Sequence, residues 1–105
     1  MNTDELEKLT TDNELLQALI IQVEKDFTMA GVDLNFKQTD FTIQQFIAHI
    51  CKRLEEQHKE NHQKFCNLFY RIDVPLPTHT DFKLLAEKLI KREFLKVWTR
   101  RNNVF

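Results

Sequence analysis

A chain of 105 residues is the size of one domain and too short for two independent cores. With 42% hydrophobic and 30% charged residues and a net charge of −1, it falls outside the composition of disordered chains and has no general attraction for phosphate. No apolar run approaches the roughly 20 residues of a membrane span, and the first residues lack a secretory signal pattern, so the sequence predicts a cytoplasmic protein without membrane contact.

Residues 1–10 are polar apart from Met1, Leu6 and Leu9 and are expected to fray, as are 102–105, leaving a single domain over 11–101. Thr11 followed three residues later by Glu14 matches a capping box. Leu15, Leu16, Leu19, Ile20, Val23 and Phe27 then recur at helical spacing, which predicts a first helix over 12–30. Gly31, the only glycine, stands where that helix should stop and suits a left-handed terminal position. Val32, Leu34 and Phe36 alternate with polar residues, but one short run without a partner strand predicts an extended connection laid against the helices rather than a sheet.

Thr39 or Asp40 is the expected cap of a second helix whose apolar positions are Ile43, Phe46, Ile47, Ile50 and Leu54, with Phe41 packing at its entrance. The ten residues from Glu55 to Lys64 contain no strongly apolar side chain. They are either the middle of one long helix over 41–73 or a break near His58–Asn61; the break is preferred because it lets Phe65, Leu68, Phe69 and Ile72 return to the same core. Pro75 and Pro77 predict a loop over 74–79, with Thr78 and Thr80 as candidate caps. The last helix offers Phe82, Leu85, Ala86, Leu89, Ile90, Phe94, Val97 and Trp98 as a broad buried face. Leu84 and Leu95 lie off that face, so this helix is expected to touch more than one neighbour. The fold class is therefore all-α, a small irregular four-helix bundle with the second and third helices formed from one broken stretch.

Charge is distributed unevenly. Residues 1–26 carry seven acidic and two basic side chains, and residues 83–101 carry two acidic and seven basic ones. Antiparallel packing of the terminal helices, or head-to-tail contact between subunits, would use that pattern, and ordinary solvation explains it too. On the last helix Lys88, Arg92 and Lys96 recur every four residues, and Arg100 and Arg101 extend the positive field beyond Trp98. These six residues are the expected partner-binding set. An acidic protein surface is the preferred partner and nucleic acid the alternative, since Trp98 adds apolar contact to charge. The eleven aromatic residues, nine of them phenylalanine, exceed what a small interior needs and suggest a homodimer.

Reaction chemistry has little foothold. One glycine excludes a glycine-rich phosphate loop, and there is no HExxH, CxxC or nucleophile-elbow pattern. His58, His62 and Cys66 share one helical stripe, but successive steps of about 6 Å separate the outer two too far to meet one ion on a straight helix. They read as surface histidines beside a core-edge cysteine, and His49 with Cys51 face different directions. Neither catalysis nor a cofactor or metal is expected. The predicted function is a helical protein-interaction or regulatory module.

Overall fold

The computed structural model describes residues 3–76 and 81–101, which form five helices: α1 (Thr3–Leu9), α2 (Asn13–Met29), α3 (Ile43–Glu60), α4 (His62–Ile72) and α5 (Phe82–Arg101). The expected caps at Thr78 and Thr80 lie outside the described residues. The described residues make an irregular all-α bundle with no strand.

The first seven-residue helix corrects the expectation of a frayed start. Leu6 is fully buried, Leu9 packs at the core edge, and α1 lies against α3. A helix this short is not stable alone, so burial of Leu6 is what holds it. Its end is closed by two threonines: Thr10 Oγ1 donates to the Leu6 carbonyl at 2.7 Å and Thr11 Oγ1 to the Lys8 carbonyl at 2.7 Å. Thr11 is therefore the end of α1 rather than the cap of α2. That role belongs to Asp12, whose Oδ1 accepts from the Glu14 and Leu15 amides. A Leu6→Ala variant should lose about 2–4 kcal/mol of stability, read by urea unfolding; a loss under about 0.5 kcal/mol would return residues 1–10 to a frayed tail.

Gly31 ends α2 as its position predicts. Its φ of 82° lets the Val32 amide reach back to the Phe27 carbonyl at 2.8 Å and the Gly31 amide to Thr28 at 3.0 Å, satisfying two terminal carbonyls. The chain then runs extended, and Val32 and Leu34 are buried, with Phe36 half-buried against the core. α3 holds this segment by its backbone: the His49 ring nitrogen Nε2 donates to the Leu34 carbonyl at 2.6 Å and Arg53 Nε to the Asp33 carbonyl at 2.9 Å. Phe36 packs edge-on against Phe41, Phe46 and His49 at centroid distances of 4.7, 5.0 and 5.0 Å. Phe41 does guard the entrance to α3. The cap, however, is Thr42 rather than Thr39 or Asp40, in a reciprocal capping box with Gln45.

The polar stretch breaks at one residue. Asn61, with φ −150° and ψ 85°, ends α3 and caps α4 by accepting the Lys64 amide at 3.1 Å. The turn brings Phe65, Leu68, Phe69 and Ile72 into the core shared with α2 and α5. α4 ends on Asp73 in the left-handed region at φ 67°, with the Val74 amide donating to the Phe69 carbonyl at 3.1 Å, and Pro75 prevents continuation. Asp81 starts α5 by accepting the Leu84 amide at 3.1 Å. α5 packs most extensively on α3 and α2 and also touches α4, so it is the helix through which the bundle is assembled.

Candidate functional site

α5 presents two polar faces with different surroundings. Its buried face is Leu85, Ala86, Leu89, Ile90, Phe94 and Val97, as the spacing predicts, with Phe82 and Trp98 packed at the margins. Trp98 stacks on Phe94 at 6.1 Å. One member of the buried face is charged in sequence: Glu93 is fully buried.

The acidic and basic ends meet within the chain. Arg101 pairs with Glu14 at 3.1 Å, Arg100 donates to the Gln22 amide oxygen at 2.8 Å, and Lys96 reaches Asp26 at 3.3 Å. The order descends on α5 as it ascends on α2, the signature of antiparallel neighbours. Arg92 pairs with Asp73 at the end of α4, at 3.2 Å. Four of the six expected partner-binding residues thus make polar contacts inside the fold, and a fifth, Trp98, packs on Phe94. Lys88 is exposed, and Trp98 is half-buried.

Three helices converge on Asp26. The Arg71 Nε of α4 lies 3.3 Å from Asp26 Oδ1; Gln22 Nε2 donates to Oδ2 at 3.0 Å, and Lys96 Nζ is 3.3 Å from the same oxygen. Lys96 Nζ also stands 3.0 Å from Glu93 Oε1, at ion-pair distance but without the alignment of a hydrogen bond. Burial, reinforced by the neighbouring Asp26 carboxylate, pushes the Glu93 carboxyl up to about 8, against the smaller opposing pull of Lys96. Burial acts on Asp26 in the same direction, but the neighbouring Glu93 carboxyl, the Gln22 hydrogen bond and the Lys96 charge together bring its carboxyl below the ordinary value.

Sequence reading missed this cluster. The available signal was position: Glu93 lies three residues after Ile90 and four before Val97, and Asp26 three after Val23, so each acid stands on an apolar face.

The outward face of α5 is different. Leu84, Lys88, Lys91, Leu95 and Trp98 follow one another at steps of four, three, four and three residues, a continuous stripe on one side of a helix. Leu84 and Leu95 are 39% and 45% exposed. The second apolar side expected of this helix exists, and among the described residues its two leucines stay partly uncovered.

Elsewhere, His58 packs its ring against His62, Phe65 and Phe82 at 5.4, 5.1 and 5.4 Å. Among the described residues no group of three or more His, Cys, Asp or Glu side chains is arranged to hold a metal ion. Both cysteines are free and half-buried, and burial with the Glu55 and Asp81 carboxylates pushes the Cys51 thiol up, away from a reactive thiolate. A surface groove of about 640 Å³ is lined by Phe69, Tyr70, Asp73, Val74, Pro75 and Leu76. Among the described residues no helix is long and apolar enough to cross a membrane. No family model, curated protein or solved structure matches the chain.

Proposed function

We propose that this chain is a non-catalytic helical module that binds a partner protein, and that the outward α5 stripe of Leu84, Lys88, Lys91, Leu95 and Trp98 takes an acidic amphipathic segment of that partner. The observation that supports the reading is the exposure of two leucines on a face whose intervening residues are lysines. A helix with leucines at matching spacing covers the apolar positions, worth on the order of 1 kcal/mol for each half-exposed leucine, and its carboxylates meet Lys88 and Lys91.

Nucleic acid is the weaker reading because it needs a continuous accessible cation track. Arg92, Lys96, Arg100 and Arg101 instead contact Asp73, Asp26, Gln22 and Glu14. A homodimer through this stripe would set like charges against each other.

Amide NMR titration with a synthetic helix carrying leucines every three or four residues and glutamates between them tests the proposal. Shifts should concentrate at residues 84, 88, 91 and 95, and a Lys88→Glu/Lys91→Glu variant should bind about tenfold or more weakly. Duplex DNA binding lost in the same variant would replace the protein partner with nucleic acid. Sedimentation of the free chain at twice 12.6 kDa, with the stripe protected, would make a second copy the occupant.

A further inference from the structure

The cluster where α2, α4 and α5 meet contains a carboxyl group with no acceptable home as an anion. Glu93 is fully buried, and among the described residues neither of its oxygens has a hydrogen-bond partner. A carboxylate has acceptors only, and so has the neighbouring Asp26. One proton changes that: a neutral Glu93 supplies its own donor, and Asp26, which is already held by Arg71, Gln22 and Lys96, is the natural acceptor.

We propose that Asp26, Glu93 and Lys96 form a proton-held clasp, in which Glu93 is carried in the folded chain as a neutral carboxylic acid donating to Asp26, and whose deprotonation weakens the hold of α5 on α2 and α4. The charges facing the pair can be counted helix by helix. α2 contributes Asp26 and the neutral Gln22, α4 contributes Arg71, and α5 contributes Lys96, with Arg100 at the rim on Gln22 and Arg92 turned to Asp73. The charged neighbours that act on Glu93 itself are Asp26 and Lys96, so α3 adds none. Lys96 is shared between the two acids, and an ionised Glu93, itself fully buried, would have to compete with Asp26 for it.

The pH dependence has a definite sign. Glu93 has an ordinary value of 4.5 when the chain unfolds and about 8 in the fold. Between those values the folded chain holds a proton that the unfolded chain releases, so stability falls as pH rises across the window. The folding equilibrium constant should drop on the order of a thousandfold between about pH 5 and pH 9. Asp26 acts in the opposite direction and lower: its contribution is present above its ordinary 3.8 and is lost as acid protonates it.

Three measurements test the clasp. Carboxyl-carbon NMR of the wild-type chain should place the Glu93 midpoint near 8. Urea unfolding followed through Trp98, the single tryptophan, should show the alkaline loss in the wild type. The loss should shrink to about threefold or less in Glu93→Gln, whose amide is a neutral donor of the same size. In Asp26→Asn the Glu93 midpoint should fall, because the competing carboxylate is gone and Lys96 remains. A wild-type Glu93 midpoint below about 6 would overturn the clasp, as would a Glu93→Gln chain that keeps the wild-type pH slope or fails to fold.

Discussion

An Asp26→Ala chain is expected to lose about 3 kcal/mol of folding free energy at pH 7. The substitution removes the acceptor of Arg71, Gln22 and Lys96 in one step, from a residue that is 3% exposed. Removing one member of a buried charged group costs more than the pair contributes, because the partners are left desolvated. Here the cost is limited by Glu93, which is 3.0 Å from Lys96 and can ionise to meet it once Asp26 is absent. Equilibrium urea unfolding through Trp98 reads the difference. A loss below about 1 kcal/mol would mean that the three helices do not depend on Asp26 for their junction.

Phe46→Ala should be at least as damaging, at about 3–5 kcal/mol. Phe46 is fully buried on α3, and its ring lies against Phe36 at 5.0 Å. Phe36 in turn meets His49, whose ring nitrogen holds the Leu34 carbonyl. The cavity would therefore open under the extended segment, whose backbone contacts come from α3 side chains. Thermal unfolding should shift down by tens of degrees, and amide exchange should rise first at residues 32–36. Protection of that segment equal to wild type would show that it is held without the aromatic group beneath it.

What was readable in the sequence followed from periodicity. The buried positions of α2, α3 and α5 recur every three or four residues over several turns, which leaves little freedom in assigning the inner face. Gly31 and the break at Asn61 were readable for a related reason: each interrupts a pattern with a residue suited to ending a helix. α1 escaped because Leu6 and Leu9 are too few to display a period, and its stability comes from contact with α3 rather than from local preference. The caps at Asp12 and Thr42 were displaced by one to three residues because neighbouring Thr and Asp residues compete for the same role. Thr11 settled the first competition by donating backward to Lys8.

The candidate sites were legible to different degrees for the same physical reason. The complementary charge of the two ends left antiparallel packing, contact between subunits and plain solvation all open; the first is realised as Arg101 with Glu14, Arg100 with Gln22 and Lys96 with Asp26. Spacing of four residues drew Lys88, Arg92 and Lys96 into one row, but the helix carries them around its circumference toward α4 and α2, and only Lys88 stays with the outward leucines. Glu93 was hidden because a charged residue in an apolar pattern is ordinarily read as an interruption. Its burial depends on an acid from another helix, 67 positions earlier in the chain, and that pairing has no local trace.

The division of α5 into a face that serves the fold and a face that serves a partner is tested most directly by two charge reversals compared side by side. Lys88→Glu/Lys91→Glu alters the outward stripe, and Arg100→Glu/Arg101→Glu alters the contacts to α2. Stability by urea unfolding and binding of the acidic helix by NMR titration are measured on both. The first variant should keep its stability within about 0.5 kcal/mol and lose binding; the second should lose about 1 kcal/mol and, while folded, still bind through residues 84, 88, 91 and 95. The reverse pattern, with binding lost only in the Arg100/Arg101 variant and stability lost only in the Lys88/Lys91 variant, would contradict the division.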